Sequence, residues 1–119
     1  MKKILIVDDE PNIVMSLEYT FKKNNFEVFI ARDGQEALDI VKKKFPHVII
    51  LDVMMPMVDG YATLEQIRND KNLEHTKVIF LSAKNKASDI EKGMALGADA
   101  YLTKPFSIKK VVETVLELL

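Results

Sequence analysis

"VIILDVMMP", residues 48–56, is apolar at four successive positions and then breaks abruptly at an acid, Asp52. A strand with one wet face alternates apolar with polar residues, whereas this one offers nothing to water on either face. It therefore reads as a central strand of a parallel sheet covered by helices on both sides. "VIFLSA", residues 78–83, has the same character and ends in Ser82 and Ala83. Shorter β-branched runs at Lys3–Val7, Val28–Ala31 and Ala100–Thr103 complete a set of five.

Between these runs the apolar residues recur at helical spacing. The last segment is the clearest, with Ile108, Val111, Val112, Val115, Leu116 and Leu119 on one stripe. The first has Pro11 in its opening turn, where a missing N–H costs nothing, and carries Ile13, Val14, Leu17 and Phe21. The second opens on Asp33 with Glu36 three residues on, an acid-led relative of the capping box, and turns Ala37, Leu38 and Val41 inward. Leu64 and Ile67 mark the third. Ile90 and Met94 mark the fourth, which stops at Gly97. Five βα units in series predict a single (βα)5 domain over residues 1–119. The expected form is a doubly wound five-stranded parallel sheet in the flavodoxin-like strand order 2-1-3-4-5, with helices on both faces.

The composition limits the partners. Seventeen basic and eighteen acidic residues leave a net charge of −1, which gives no basic footprint for nucleic acid or an anionic membrane. The absence of cysteine excludes disulfides and thiolate metal sites. No stretch approaches the ~20 apolar residues of a membrane span, and "MKKILIVDDEP" turns acidic too early for a signal peptide. The expectation is a soluble, cytoplasmic domain that binds neither nucleic acid nor membrane directly.

In doubly wound sheets, ligands bind outside the carboxyl ends of the strands where the winding reverses, here beside the first and third strands. The first ends in Asp8 and Asp9 and the third in Asp52. Three carboxylates brought together unscreened would repel, so the pattern predicts a cation among them. Hard oxygen donors suit Mg2+, with Mn2+ as the alternative. The fourth strand delivers the Ser82 hydroxyl to the same edge and the fifth, through "YLTKPF", delivers Lys104. A hydroxyl and an ammonium facing a carboxylate and a divalent cation make a receptacle for a phosphoryl group.

These pieces resemble the receiver domains of two-component response regulators, across essentially the whole chain. The resemblance rests on "DD" after the first strand, "LDVMMPMVDG" around Asp52, "LSA" after the fourth strand and "GADAYLTKPF" through the fifth, in that order and spacing. It implies that Asp52 is a phosphoacceptor, charged from a phosphohistidine on a sensor histidine kinase or a histidine phosphotransfer protein. Asp9 would hold Mg2+ directly, Asp8 largely through water, and the Met54 backbone carbonyl would add a ligand. Lys104 would hold the phosphoryl group, Ser82 would read it, and Tyr101 would be the switch aromatic that follows Ser82 inward. The alternative role for Tyr101 is a half-exposed strand residue packed on the fourth helix.

The resemblance further implies a downstream effector or attached output domain, and a monomer or a weak phosphorylation-dependent dimer. Lys92 and Asp99 suit a dimer built on the fourth helix, fifth strand and fifth helix, while Ala100, Thr114 and Leu116 do not. Met54 and Lys84 occupy positions that tune phosphoryl lifetime in the family, and an apolar Met54 implies slow self-dephosphorylation. The peptide before Pro105 is usually cis in the family, whereas the base rate of ~5–6% for such bonds would by itself read trans. Pro56 and Gly60 are expected to shape the loop after the third strand, and Met54, Met55 and Met57 to pack it. The isolated His47 and His75 receive no role.

Two rivals compete. A phosphatase of the haloacid-dehalogenase type also forms an aspartyl phosphate but wants an acid two residues after the nucleophile, where this chain has Met54. A flavodoxin-like flavin binder needs a Ser/Thr/Gly-rich loop after the first strand, where this chain has "DDEP". The chain therefore reads as a switch that assists its own phosphorylation, not as a turnover enzyme.

Overall fold

The computed structural model describes residues 1–55 and 58–119, so the expectations placed on Pro56 and Met57 lie outside the described residues. Strands β1 (Lys3–Val7), β2 (Glu27–Ala31), β3 (Val48–Leu51), β4 (Lys77–Ser82) and β5 (Ala100–Thr103) alternate with helices α1 (Pro11–Lys23), α2 (Gly34–Lys44), α3 (Gly60–Arg68), α4 (Ala87–Ala95) and α5 (Ile108–Leu118). The sheet is parallel throughout, in the order β2-β1-β3-β4-β5, as the alternation of segment types predicts. Leu5 stands beside Phe29 on one side and Ile49 on the other, and this register brings Val7 level with Leu51. The residues that follow these two, Asp8 and Asp52, therefore emerge side by side.

Because strand side chains alternate between the two faces, the same strands feed two cores. Leu5, Val7, Ile49, Leu51, Val78 and Phe80 meet Leu38 and Val41 of α2 and Leu64 and Ile67 of α3. Ile4, Ile6, Val48, Ile50, Ile79 and Leu81 meet Leu17 and Phe21 of α1 and Val111 and Val115 of α5. Among the described residues, no helix is long and apolar enough to cross a membrane.

The caps follow the sequence closely. Asp33 accepts the Glu36 N–H at 2.8 Å, Asp59 that of Ala62 at 2.8 Å, and Ser107 that of Lys110 at 3.0 Å, each satisfying a donor the helix cannot. Gly97, just past α4, has φ +109°, the left-handed region expected of it. The Lys104–Pro105 bond is cis, as in the family it resembles.

Helix α4 departs from its expected stripe. Gly93 is its only buried residue; Ile90 is half-buried and Met94 is 43% exposed. Leu116 of α5 and Leu119 just after it are also exposed, because a stripe that docks on one sheet face fills before its outermost positions are reached.

A polar clamp invisible to periodicity joins α3 to the turn before β5. Arg68 donates from Nε to the Gly97 carbonyl at 2.9 Å, from Nη1 to Thr76 O at 2.8 Å, and from Nη2 to the Asp99 carboxylate at 3.0 Å. The same Asp99 oxygen accepts the Val78 N–H at 2.8 Å. Asp99 thus pairs within its own chain through one carboxylate oxygen. Arg68→Ala takes the guanidinium donors from two carbonyls and leaves the Asp99 carboxylate with the Val78 N–H but no countercharge, and is expected to lower stability by about 2 kcal/mol, read by urea denaturation.

Candidate functional site

At the carboxyl edge of the sheet, the loops after β1, β3, β4 and β5 converge. Asp8 and Asp52 are almost fully buried, at 2% and 4% exposure, while Asp9 is exposed. One carboxylate oxygen from each lies within 4.8 Å of the other two, a spacing that a single hard cation can bridge directly or through water. The acids are not helix caps: α1 begins after Glu10, whose side chain makes no cap, and Asp8 Oδ1 instead accepts the Glu10 N–H at 2.9 Å.

Lys104 comes from the end of β5, where its N–H is fixed to the Ser82 carbonyl at 2.8 Å. Its ammonium stands 3.2 Å from Asp8 Oδ2, 3.2 Å from Asp52 Oδ2 and 3.2 Å from Glu10 Oε1. The other Asp52 oxygen accepts the Met54 N–H at 3.1 Å. Glu10 belongs to the acid run after β1 but has no predicted role; its place on Lys104 depends on a side-chain reach that sequence spacing does not encode.

The electrostatics follow from burial against pairing. Burial raises the Asp52 carboxyl above its ordinary value, with Lys104 and the Met54 N–H pulling back down. Asp8 is raised by burial too, with the Glu10 N–H opposing and the charge of Asp52 adding. Burial would lower the Lys104 ammonium, but Asp52 and Asp8 outweigh it and leave it raised.

Ser82 is fully buried at the end of β4 and its Oγ accepts the Lys84 N–H at 3.2 Å. Tyr101 is half-buried, with its hydroxyl donating to the Lys84 carbonyl at 2.8 Å and its ring tilted against Phe80 at 5.7 Å between centroids. It packs on α4 at Gly93, so the packing role anticipated for it is present. Met54 is 56% exposed beside the acids, and Met55 packs against the core beneath. Gly60 is a close-approach position: a Cβ there would lie 2.3 Å from the Asp52 carbonyl oxygen. His47, far from the site, accepts the Lys3 N–H on Nδ1 at 3.0 Å.

A doubly wound parallel sheet with buried acids at its switch point, braced by a lysine that follows the last strand, defines a flavodoxin-like α/β class with an acidic site. Comparison with known proteins narrows this. Residues 4–116 match the family model described as the response regulator receiver domain, and the chain belongs to that family. It is 43% identical over 110 residues to the alkaline phosphatase synthesis transcriptional regulatory protein PhoP of Bacillus subtilis (strain 168), an alignment covering 92% of this chain and 45% of that one. The chain thus spans a little under half the length of the curated relatives it matches. Among solved structures, the Francisella response regulator 1452 receiver domain superposes with a TM-score of 0.92 at 36% identity, covering 99% of this chain and 96% of that one. The chemotaxis response regulator CheY4 of Vibrio cholerae gives 0.93 at 32% identity, covering 100% and 99%.

The raised carboxyls fix the sign of a pH effect. A carboxyl whose folded pKa lies above its unfolded value leaves the folded state holding more protons in between, so stability falls as pH rises through that window. In metal-free buffer containing a chelator, Asp52→Asn is therefore expected to melt higher than the parent at neutral pH. Differential scanning calorimetry should show the gap shrinking as pH falls through the raised folded value toward the ordinary carboxylate value of 3.8, and gone below it.

Proposed function

We propose that this chain is a phosphorylation-dependent signalling switch in which Asp52 accepts a phosphoryl group from a phosphohistidine, on a sensor histidine kinase or a histidine phosphotransfer protein. Supporting the reading above all is the position of one Asp52 carboxylate oxygen, 3.2 Å from Lys104 and inside a three-carboxylate cluster. Apolar residues often replace a buried ion pair at no cost in stability, so stability alone does not account for a carboxylate this buried. A chemical use does.

Asp8, Asp9 and Asp52, with the Met54 carbonyl, are the residues that would hold Mg2+, and Mn2+ fits the same oxygen donors. The bound cation would supply positive charge to the oxygens of the transferring group. The Asp52 oxygen attacks phosphorus while the bond from phosphorus to the donor's imidazole nitrogen breaks, and its electron pair leaves with that nitrogen. Lys104, released from part of its carboxylate company, follows the new anionic oxygens. The Ser82 hydroxyl, at the neighbouring strand end, donates to another.

The reaction is one charge per chain, not a turnover, so the protein serves as the substrate of its kinase. The altered surface would run through α4, β5 and α5 to an effector or attached output domain, with Ser82 and Tyr101 as the elements that change. Phosphate can bias these only by its differential contacts with two states. With no polar side chain at Met54 to orient a water, the aspartyl phosphate should decay slowly.

Acetyl phosphate with Mg2+ should add one phosphoryl group at position 52, seen by intact-mass and peptide mass spectrometry. Asp52→Asn and a chelator should each abolish the addition, and Lys104→Ala should abolish the response that follows it. Unmodified wild-type protein under these conditions would sink the reading.

A further inference from the structure

Of the five α-helices, α4 buries the fewest residues. Its one buried residue is Gly93, where a Cβ would come within 3.0 Å of the Tyr101 ring and 3.1 Å of Phe80, so the glycine lets the helix close onto two aromatic rings. A third ring completes the seat. Tyr61, in the first turn of α3, is 7% exposed, meets Phe80 edge-on at 5.6 Å, and donates its hydroxyl to the Asp89 carbonyl in the first turn of α4 at 3.1 Å. Lys92 of α4 reaches back over the Tyr61 ring, 4.4 Å from its centroid. Two tyrosine hydroxyls therefore hold this end of α4: Tyr101 grips the loop before it and Tyr61 grips its first turn.

What stands behind Tyr61 gives the contact its meaning. Gly60 donates its N–H to the Val53 carbonyl at 2.9 Å and lies hard against the Asp52 carbonyl oxygen, so the start of α3 is seated on the backbone of the acidic residue itself. The residue after Gly60 is Tyr61, whose hydroxyl meets the first turn of α4.

We propose that Tyr61 is a positioning residue of the switch, forming a second arm from Asp52 to α4 through Gly60 and parallel to the arm through Ser82 and Tyr101. The proposal rests on Asp52 being the phosphoacceptor. One arm ends on a backbone carbonyl in the loop before α4 and the other on one in its first turn. Helix α4 is the element that two small displacements can move together.

Tyr61→Phe tests this, since it keeps the ring on Phe80 and under Lys92 and removes only the hydroxyl. Hydrogen exchange of residues 87–95 is followed with and without acetyl phosphate and Mg2+, with intact mass read on the same samples. The variant should take phosphate as the parent does. Its α4 amides should exchange about fivefold faster before phosphorylation, as expected for the loss of one hydrogen bond of ordinary net strength. The change in α4 exchange on phosphorylation should shrink by about half or more. Combined with Tyr101→Phe, the effects should fall short of additive. An equal acceleration in both phosphorylation states is what a purely structural contact gives, and it overturns the proposal, as does no acceleration at all. Wild-type protein that gains no mass overturns the phosphoacceptor reading and this inference together, an outcome the mass measurement alone identifies.

Discussion

One ammonium group holds the site together. Lys104 stands 3.2 Å from each of three carboxylates contributed by two different loops, and two of those acids are buried. Without it, Asp8 and Asp52 would be like charges in a poorly solvated pocket, the arrangement that most strongly favours protonation. The sheet forces the problem, since the in-line register of β1 and β3 makes the residues after Val7 and Leu51 neighbours whatever their charge. The last strand supplies the answer, across β4, through a side chain long enough to reach.

That dependence explains which parts of the molecule could be read in advance. The strands announced themselves because burial on both faces requires unbroken apolar runs, and "VIIL" and "VIFL" have no other economical use. Asp33 and Gly97 were legible for local reasons: a cap and a left-handed turn each depend on one residue's own geometry. The site was legible because a topological rule converts sequence order into position, carrying Asp8, Asp9, Asp52, Ser82 and Lys104 to one edge without knowledge of any distance.

Long-range polar contacts were not legible, and for one reason. Arg68 and Asp99, Glu10 and Lys104, Tyr61 and Asp89 are pairs separated by most of a βα unit or more, and nothing in a periodic pattern marks a side chain as a partner for one particular distant group. The fourth helix failed for a related cause. Its sequence spacing at Ile90 and Met94 promises a docking stripe, yet the closest approach is made by Gly93, a residue with no side chain to count. Hydrophobic periodicity registers what is buried by size and misses what is buried by proximity.

The three contacts of Lys104 are equal in length but not in strength, and the difference orders what can happen at the site. The Glu10 side chain is 58% exposed, so water competes for it and its pairing with Lys104 contributes little. The pairings with Asp8 and Asp52 are shielded, at 3% and 5% side-chain exposure, and releasing either would strand a buried charge. An anionic group arriving on Asp52 can therefore take Glu10's share of the ammonium at small cost, while a group demanding Asp8's share meets a large one unless a cation takes over that carboxylate. On the proposed reading, metal and phosphoryl group would be mutually supportive: each would compensate the charge that the other's arrival leaves exposed. The lysine need only swing between partners that are already within its reach.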